Sequence, residues 1–136
     1  MPRESRPLSR GQRGQTLAEF AIILVVLLLI ILGIVDFSRA VFIKSVISNA
    51  AREGARYGIV HWGDDAGIEG VVRGRSTGFD TSRLAIGVTY PVTYTRHVQV
   101  EVSYVFHPVT PLIGQIIDGG SGAGILLRSR AVMRRE

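Results

Sequence analysis

The chain has 136 residues, no cysteine and a formal net charge of +5. This composition excludes disulfide frameworks, thiolate chemistry and cysteine-ligated metal sites, and the length allows one small domain after an apolar N-terminal third. Four arginines, at positions 3, 6, 10 and 13, lie in the first fourteen residues with Glu4 as the one acid. Such a charge distribution is typical of a segment that sets membrane topology, and not of a nucleic-acid-binding surface.

An uninterrupted apolar stretch covers residues 20–35 (FAIILVVLLLIILGIV). As a helix it is about 24 Å long, and residues 16–19 extend it to roughly the 30 Å of a bilayer core. We therefore predict a transmembrane segment at residues 16–35, with residues 1–14 in the cytoplasm and the rest of the chain outside. Residues 1–14 are predicted to be a disordered basic leader. A cleaved secretory signal is disfavoured, because the stretch is long for one and no small-x-small cleavage site follows.

Two acidic residues lie at the ends of this segment. Glu19 is the one charge within residues 16–35, and a carboxylate there costs free energy unless it snorkels, is protonated or finds a partner. Asp36 directly follows the apolar stretch. We expect it to be solvated at the membrane edge, or else to pair with Arg39 or with a cation of another subunit.

One long helix is predicted over residues 15–60, continuing out of the membrane, because the next proline is Pro91. Small and apolar residues recur at alternating spacings of three and four and form one face, on which small-xxx-small spacings permit close approach of another backbone. The pattern leaves open whether this face packs on the chain's own outer domain or on other subunits. Besides the interrupting Asp36, the face comprises Gly33, Ala40, Ile43, Ile47, Ala50, Gly54 and Tyr57, flanked by Ala51, Ala55 and Gly58.

Residues 61–136 are predicted to form a small extracytoplasmic α+β domain. Asp64 or Asp65 can cap a short helix with an apolar face of Ile68, Val71 and Val72. Period-two alternation then indicates strands from about residue 84, at 98–106 and at 125–133. A short connection at 91–96 and a Pro- and Gly-rich loop at 107–124, with one apolar turn at 112–117, join them. We expect a three-stranded antiparallel sheet packed on the long helix.

Three sequence features together resemble a known family. Gly14 and Glu19 stand in a G-x-x-x-x-E arrangement before the apolar helix, as in type IV prepilin-like proteins, and YVFHP at 104–108 precedes an apolar strand and a basic end. With the segment NAAREGAR, these features resemble the TadE-like pseudopilins of tight-adherence (Tad, Flp) pilus and secretion systems. The resemblance is close over residues 14–57 and loose beyond. The NAAREGAR segment comprises Asn49, Ala50, Ala51, Arg52, Glu53, Gly54, Ala55 and Arg56.

The resemblance implies that a prepilin peptidase cuts after Gly14 and leaves Gln15 as the mature N-terminus. Glu19 is then the fifth-position glutamate, whose charge a neighbouring subunit's new α-amino group can neutralise. The implied location is the bacterial cytoplasmic membrane, and the resemblance leaves open whether the protein is also incorporated into a pilus. The implied partners are the membrane, the peptidase, other pilin or pseudopilin subunits and the Tad assembly platform. Phe20 stands where Flp-type pilins usually have tyrosine, which favours a minor pseudopilin over the major fibre subunit.

Sequence motifs of enzymes are missing. His61, His97 and His107 do not have metal-binding spacings, and no nucleophile elbow, phosphate loop or dinucleotide fingerprint occurs. We therefore expect no catalysis, cofactor, metal or small-molecule substrate, and no nucleic-acid partner. Two alternatives stay open. One is an uncleaved single-pass membrane protein whose outer domain binds a ligand or an envelope partner, and the other is a membrane-tethered hydrolase.

Overall fold

The computed structural model describes residues 10–91, 96–110, 115, 119 and 122–134, with side chains from residue 14 onward. Two helices are followed by a short 3₁₀ turn and three strands, which confirms the predicted α+β class. The elements are α1 (Arg10–Val60), α2 (Asp65–Arg75), the 3₁₀ turn (Thr81–Arg83), β1 (Leu84–Thr89), β2 (His97–Phe106) and β3 (Ile125–Arg134).

Helix α1 has 51 residues and is therefore about 76 Å long. It is long and apolar enough to cross a membrane, and 6% of its most apolar stretch is buried inside the protein. The helix ends near the predicted residue but begins at Arg10, so the predicted disorder of residues 10–14 is wrong. Adding a residue to an existing helix is inexpensive, and arginine and glutamine are good helix formers. Residues 1–9 of the predicted leader lie outside the described residues.

Helix α2 forms where the sequence predicts a short capped helix. The side chain of Asp64 accepts a hydrogen bond from the backbone N–H of Gly67 at 3.0 Å, which satisfies one of the free donors of the first turn. Ile68 and Val72 are fully buried beneath the helix. The apolar face of α2 therefore packs as its spacing indicates, with Val71 half-buried beside it.

The sheet is an antiparallel meander in the order β1-β2-β3. The central strand β2 pairs Val100 with Val88 on β1 and with Ala131 on β3. Every even-numbered residue of β2 is buried, and the odd-numbered ones are partly exposed, as expected for a strand with one face on a core. The predicted three-stranded antiparallel sheet is confirmed. Residues 92–95 of the predicted connection, and the apolar turn at 112–117 except residue 115, lie outside the described residues.

The core lies between the second half of α1, helix α2 and one face of the sheet. Ile47 from α1 and Ile68 from α2 are completely buried there, together with Val98 and Val102 of β2. The domain that follows α1, called the outer domain after its predicted location, is thus built directly on α1, so the helix and the domain are one packed unit over this length.

Candidate assembly interface

Helix α1 consists of two halves with opposite surroundings. In the first half, apolar side chains remain exposed, for example Leu17 at 69%, Phe20 at 61% and Ile34 at 61%. In the second half, Ile47 and Ala50 are completely buried by the chain's own domain. A long apolar surface that the described part of the chain does not cover requires lipid or protein around it. The first half is therefore the candidate interface.

The predicted processing residues lie on this exposed half. Gly14, Gln15 and Glu19 are all exposed on the helix surface, and a Cβ placed on Gly14 would meet no atom within 4 Å. Gln15 and Glu19 are one helical turn apart and therefore share a face. Within the described ranges, no hydrogen bond or ion pair is made to the Glu19 carboxylate. The carboxylate is consequently available to a group from outside the chain.

The second acidic residue, Asp36, has the opposite environment, with 2% of its surface exposed. Its carboxylate accepts hydrogen bonds from the backbone N–H of Val109 at 3.0 Å and of Thr110 at 2.7 Å. Arg39 donates a further bond to it at 3.2 Å. The expected pairing with Arg39 is present, whereas the expected solvation of Asp36 is wrong, because the segment after β2 covers the carboxylate. No local sequence signal connects Asp36 with residues 109–110.

The face predicted for helix packing is filled by the chain itself over the second half of α1. Ile43, Ile47, Ala50 and Gly54 are buried in the domain core. A Cβ on Gly54 would lie 2.6 Å from Val72 Cγ2 on α2, so only glycine permits this approach without a shift. Of the two alternatives, packing on the chain's own domain is therefore what the structure shows here. Gly33, Ala40 and Tyr57 are partly buried.

The NAAREGAR segment has an inner and an outer face. Ala50, Ala51, Gly54 and Ala55 are buried, whereas Asn49, Arg52 and Arg56 are exposed and Glu53 is partly exposed. Arg52 donates to the Ser48 hydroxyl at 3.0 Å and to the Asn49 side-chain oxygen at 3.4 Å. The small residues of the segment therefore allow close packing of α2 and β2, and its polar residues form a solvated surface.

Polar and aromatic contacts at the end of α1 hold the turn that connects it to α2. The hydroxyl of Tyr57 donates to the Asp64 carboxylate at 2.9 Å, and the Tyr57 ring stacks on His61 with centroids 4.1 Å apart. The N–H of Gly67 and the hydroxyl of Tyr57 both stabilise the charged carboxylate, so the pKa of Asp64 lies below its ordinary value. The contacts of Tyr57, His61 and Asp64 thus stabilise the turn between α1 and α2.

The histidine and acidic side chains of the described residues do not form a metal site. Among them, no group of three or more His, Asp or Glu side chains is arranged to hold a metal ion. The ring nitrogen Nδ1 of His107 lies 3.1 Å from an Arg83 guanidinium nitrogen, and His61 is stacked on Tyr57. His61 and His107 therefore have structural partners.

Residues 14–56 match the family model described as TadE-like protein. The match confirms the resemblance over that segment, which includes the Gly14 and Glu19 positions, the apolar half of α1 and the NAAREGAR segment. It covers less than half of the chain, and the sheet lies outside it. Neither a curated protein nor a solved structure matches the chain.

Proposed function

We propose that this chain, whose residues 14–56 match the TadE-like family, is a minor pseudopilin or assembly component of a Tad-type pilus and secretion system. A prepilin peptidase removes residues 1–14, α1 anchors the product in the cytoplasmic membrane, and its exposed half packs against other subunits. The observation that best supports this proposal is the division of α1, because its uncovered apolar half is the half that contains the G-x-x-x-x-E arrangement.

The contrast between Asp36 and Glu19 supports an external partner for Glu19. The two residues are about 26 Å apart along α1. The chain itself supplies two backbone donors and one guanidinium to Asp36. Glu19 lies within the predicted membrane segment, where an ionised carboxylate without a partner is costly. The α-amino group created at Gln15 of a neighbouring subunit is a suitable partner, and cleavage would then be coupled to assembly.

The outer domain limits where such contacts can form. Because the domain covers the small and apolar face of α1 over residues 43–55, helix-to-helix contacts between subunits through that face are restricted to the first half of the helix. The domain then occupies space beside the helix on the outer side of the membrane. This arrangement fits a subunit that joins or initiates an assembly better than one that forms a closely packed fibre along its whole length.

Substitution of Gly14 tests processing. In Gly14→Leu, we expect the precursor to accumulate at full length and piliation to fall, because the branched side chain occupies the position next to the scissile bond. Gly11→Leu serves as the control for a bulky residue elsewhere in the leader. Unchanged gel mobility of Gly14→Leu relative to the native protein would contradict processing and favour the uncleaved membrane protein.

Substitution of Glu19 tests assembly separately from processing. Glu19→Ala removes a costly charge from the membrane segment, so insertion is expected to be retained while subunit association is lost. The readout is cross-linking between single cysteines placed at Ile23, since the native chain has none. Glu19→Asp is the matched variant that keeps the charge and is expected to retain part of the cross-linking. Full cross-linking of Glu19→Ala would contradict the proposed role.

A further inference from the structure

A cavity of about 310 Å³ lies between α1 and the segment that connects α2 to β1. Its walls are partly aromatic, and two arginines, Arg39 and Arg83, line it from different elements. Neither the packing face of α1 nor the processing segment explains this combination. The lining side chains used in the argument are Arg39, Phe42, Phe79, Asp80, Arg83 and Tyr104.

The position of the cavity along α1 places it at the level of lipid headgroups. Arg39 is four residues beyond Val35, the last residue of the apolar stretch, and therefore about 6 Å further along the helix axis. The headgroup zone adds about 5–8 Å to each side of a bilayer core. If residues 16–35 span the core, the Arg39 guanidinium lies at the depth of the lipid phosphates.

Exposed apolar side chains near this level support contact with the membrane surface. Phe37 is 71% exposed, Phe42 is 51% exposed and Val109 is 67% exposed. The bonds from residues 109 and 110 to Asp36 hold Val109 close to the end of the apolar stretch. These side chains continue the lipid-facing surface of α1 onto the lower edge of the outer domain, which is typical of interfacial anchoring.

Contacts within the chain hold both arginines in place, but these contacts occupy only some of their N–H donors. Arg39 donates to Asp36 and lies 5.3 Å above the Phe106 ring centre, yet 46% of its side chain is exposed. Arg83 contacts Asp80 at 3.5 Å and His107 at 3.1 Å and is 53% exposed. Each guanidinium has five N–H donors, and an exposed carboxylate contact of this length is weak. A phosphate can therefore be bound by the remaining donors of both groups.

We propose that this cavity binds the phosphate headgroup of an anionic phospholipid in the outer leaflet of the membrane that α1 crosses. Arg39 and Arg83 contact the phosphate, and the acyl chains lie along the exposed apolar half of α1. The proposal depends on the membrane placement of α1 and is independent of processing and assembly. Its occupant would fix the tilt of the outer domain relative to the bilayer.

Native mass spectrometry of the full chain from detergent micelles tests this site. Phosphatidylglycerol is the anionic probe and phosphatidylcholine the zwitterionic one. We expect one phosphatidylglycerol to be retained in preference to phosphatidylcholine, and Arg83→Gln to lower that retention about tenfold, the value of one charge-assisted contact. Adding Arg39→Gln is expected to abolish it. Arg39 also bonds Asp36, so the double variant can fail to fold. In that case the retention measured for the single Arg83→Gln variant tests the site.

The matched control is Arg128→Gln with Arg130→Gln. These arginines also pair with an acid, the partly exposed Glu101, but they lie on β3 and do not line the cavity. Retention of phosphatidylglycerol is expected to be unchanged in this control. Equal retention of both lipids, or equal loss in the control and in Arg83→Gln, would overturn the proposal. Displacement of the lipid by an equal concentration of inorganic phosphate would also overturn it, since the site would then take a free anion.

Discussion

The carboxylate of Asp36 lies 2.7 Å from the backbone nitrogen of Thr110, a residue 74 positions later in the chain. Together with the bond from Val109, this contact closes the lower edge of the outer domain onto α1 at the point where the apolar stretch ends. The domain is therefore attached to the helix by hydrogen bonds where the apolar stretch ends, and along the rest of their contact by the apolar core.

Replacing Asp36 is expected to destabilise this attachment. Asp36→Ala leaves the buried N–H of Thr110 without an acceptor, at a cost on the order of 1–3 kcal/mol, and also removes the acceptor of the partly buried Val109 N–H. Denaturant unfolding in micelles measures the loss, with Trp62 as the fluorescent reporter because it is the one tryptophan and packs 4.9 Å from Tyr90. Ser38→Ala, two positions away and exposed, is the control and is expected to be near neutral. Equal stability of the two variants would contradict the account of Asp36.

The contact between Gly54 and Val72 leads to a second prediction. Alanine favours a helix over glycine by about 1 kcal/mol, but overpacking a core costs about 1–3 kcal/mol. Because the added Cβ would lie 2.6 Å from Val72 Cγ2, we expect Gly54→Ala to be destabilising. Combination with Val72→Ala removes the clash, so the double variant is expected to be more stable than the two single changes predict by addition.

Gly70→Ala is the matched control for this experiment. Gly70 lies inside α2, and a Cβ placed on it would meet nothing within 4 Å. The substitution is therefore expected to stabilise the domain by about 0.5–1 kcal/mol through helix propensity. If Gly54→Ala were equally stabilising, the close packing of α1 on α2 would be wrong.

Most of the fold was predictable from the sequence because its signals are local. The apolar stretch, a cap at Asp64 or Asp65 and the alternation of β2 each identify their element without knowledge of the rest. The burial of Asp36 was not predictable. It depends on residues 109 and 110, which follow β2 far along the chain and contact α1 only in the folded structure. The start of α1 was placed five residues late, because composition alone does not show how far a stable helix propagates into a basic segment.

The candidate site was predictable in part. The G-x-x-x-x-E arrangement identifies Gly14 and Glu19, and the matched segment includes both. The spacing of small residues at 40–58 indicates close packing but is the same for an internal and an external partner. Only the placement of α2 and β2 shows that Gly54 faces the chain's own core. Arg83 had no signal in the sequence, because its place in the wall of the cavity that Arg39 also lines results from the course of the α2-to-β1 connection.

The ionisation of Asp64 gives a prediction about pH. The Gly67 N–H and the Tyr57 hydroxyl lower the pKa of this carboxyl below 3.8, so its stabilising effect is present above the ordinary pKa. The effect is lost as the pH falls through the lowered pKa of the folded state. In Tyr57→Phe one of the two donors is removed, and the pKa of Asp64 is expected to rise toward 3.8. NMR titration of the carboxyl carbons measures this change.

Asp80 is the internal reference for that titration. Its pKa is lowered by hydrogen bonds from the Ser82 hydroxyl and backbone N–H, and none of these groups contacts Tyr57. The pKa of Asp80 is therefore expected to be the same in the native chain and in Tyr57→Phe. An unchanged Asp64 pKa in the variant would contradict the role of the Tyr57 hydroxyl.

The orientation of α1 in the membrane is testable because the chain contains no cysteine. A membrane-impermeant maleimide applied to intact spheroplasts is expected to label Ser38→Cys, which is exposed just beyond the apolar stretch. It is expected to leave Val26→Cys, within the bilayer, unlabelled. In the uncleaved Gly14→Leu precursor, which retains the leader, it should also leave Ser9→Cys unlabelled until the membrane is opened. Labelling of Ser9→Cys in intact spheroplasts would reverse the proposed topology.

The intact mass and N-terminal sequence of the protein isolated from its native membranes test the central claim most directly. The account predicts a chain that begins at Gln15 and retains the whole apolar half of α1. A chain that begins at Met1 or Pro2 would contradict processing by a prepilin peptidase and leave a plain membrane-anchored protein. A start beyond residue 35 would contradict the account altogether, since the apolar half of α1 would then be a removed secretory signal.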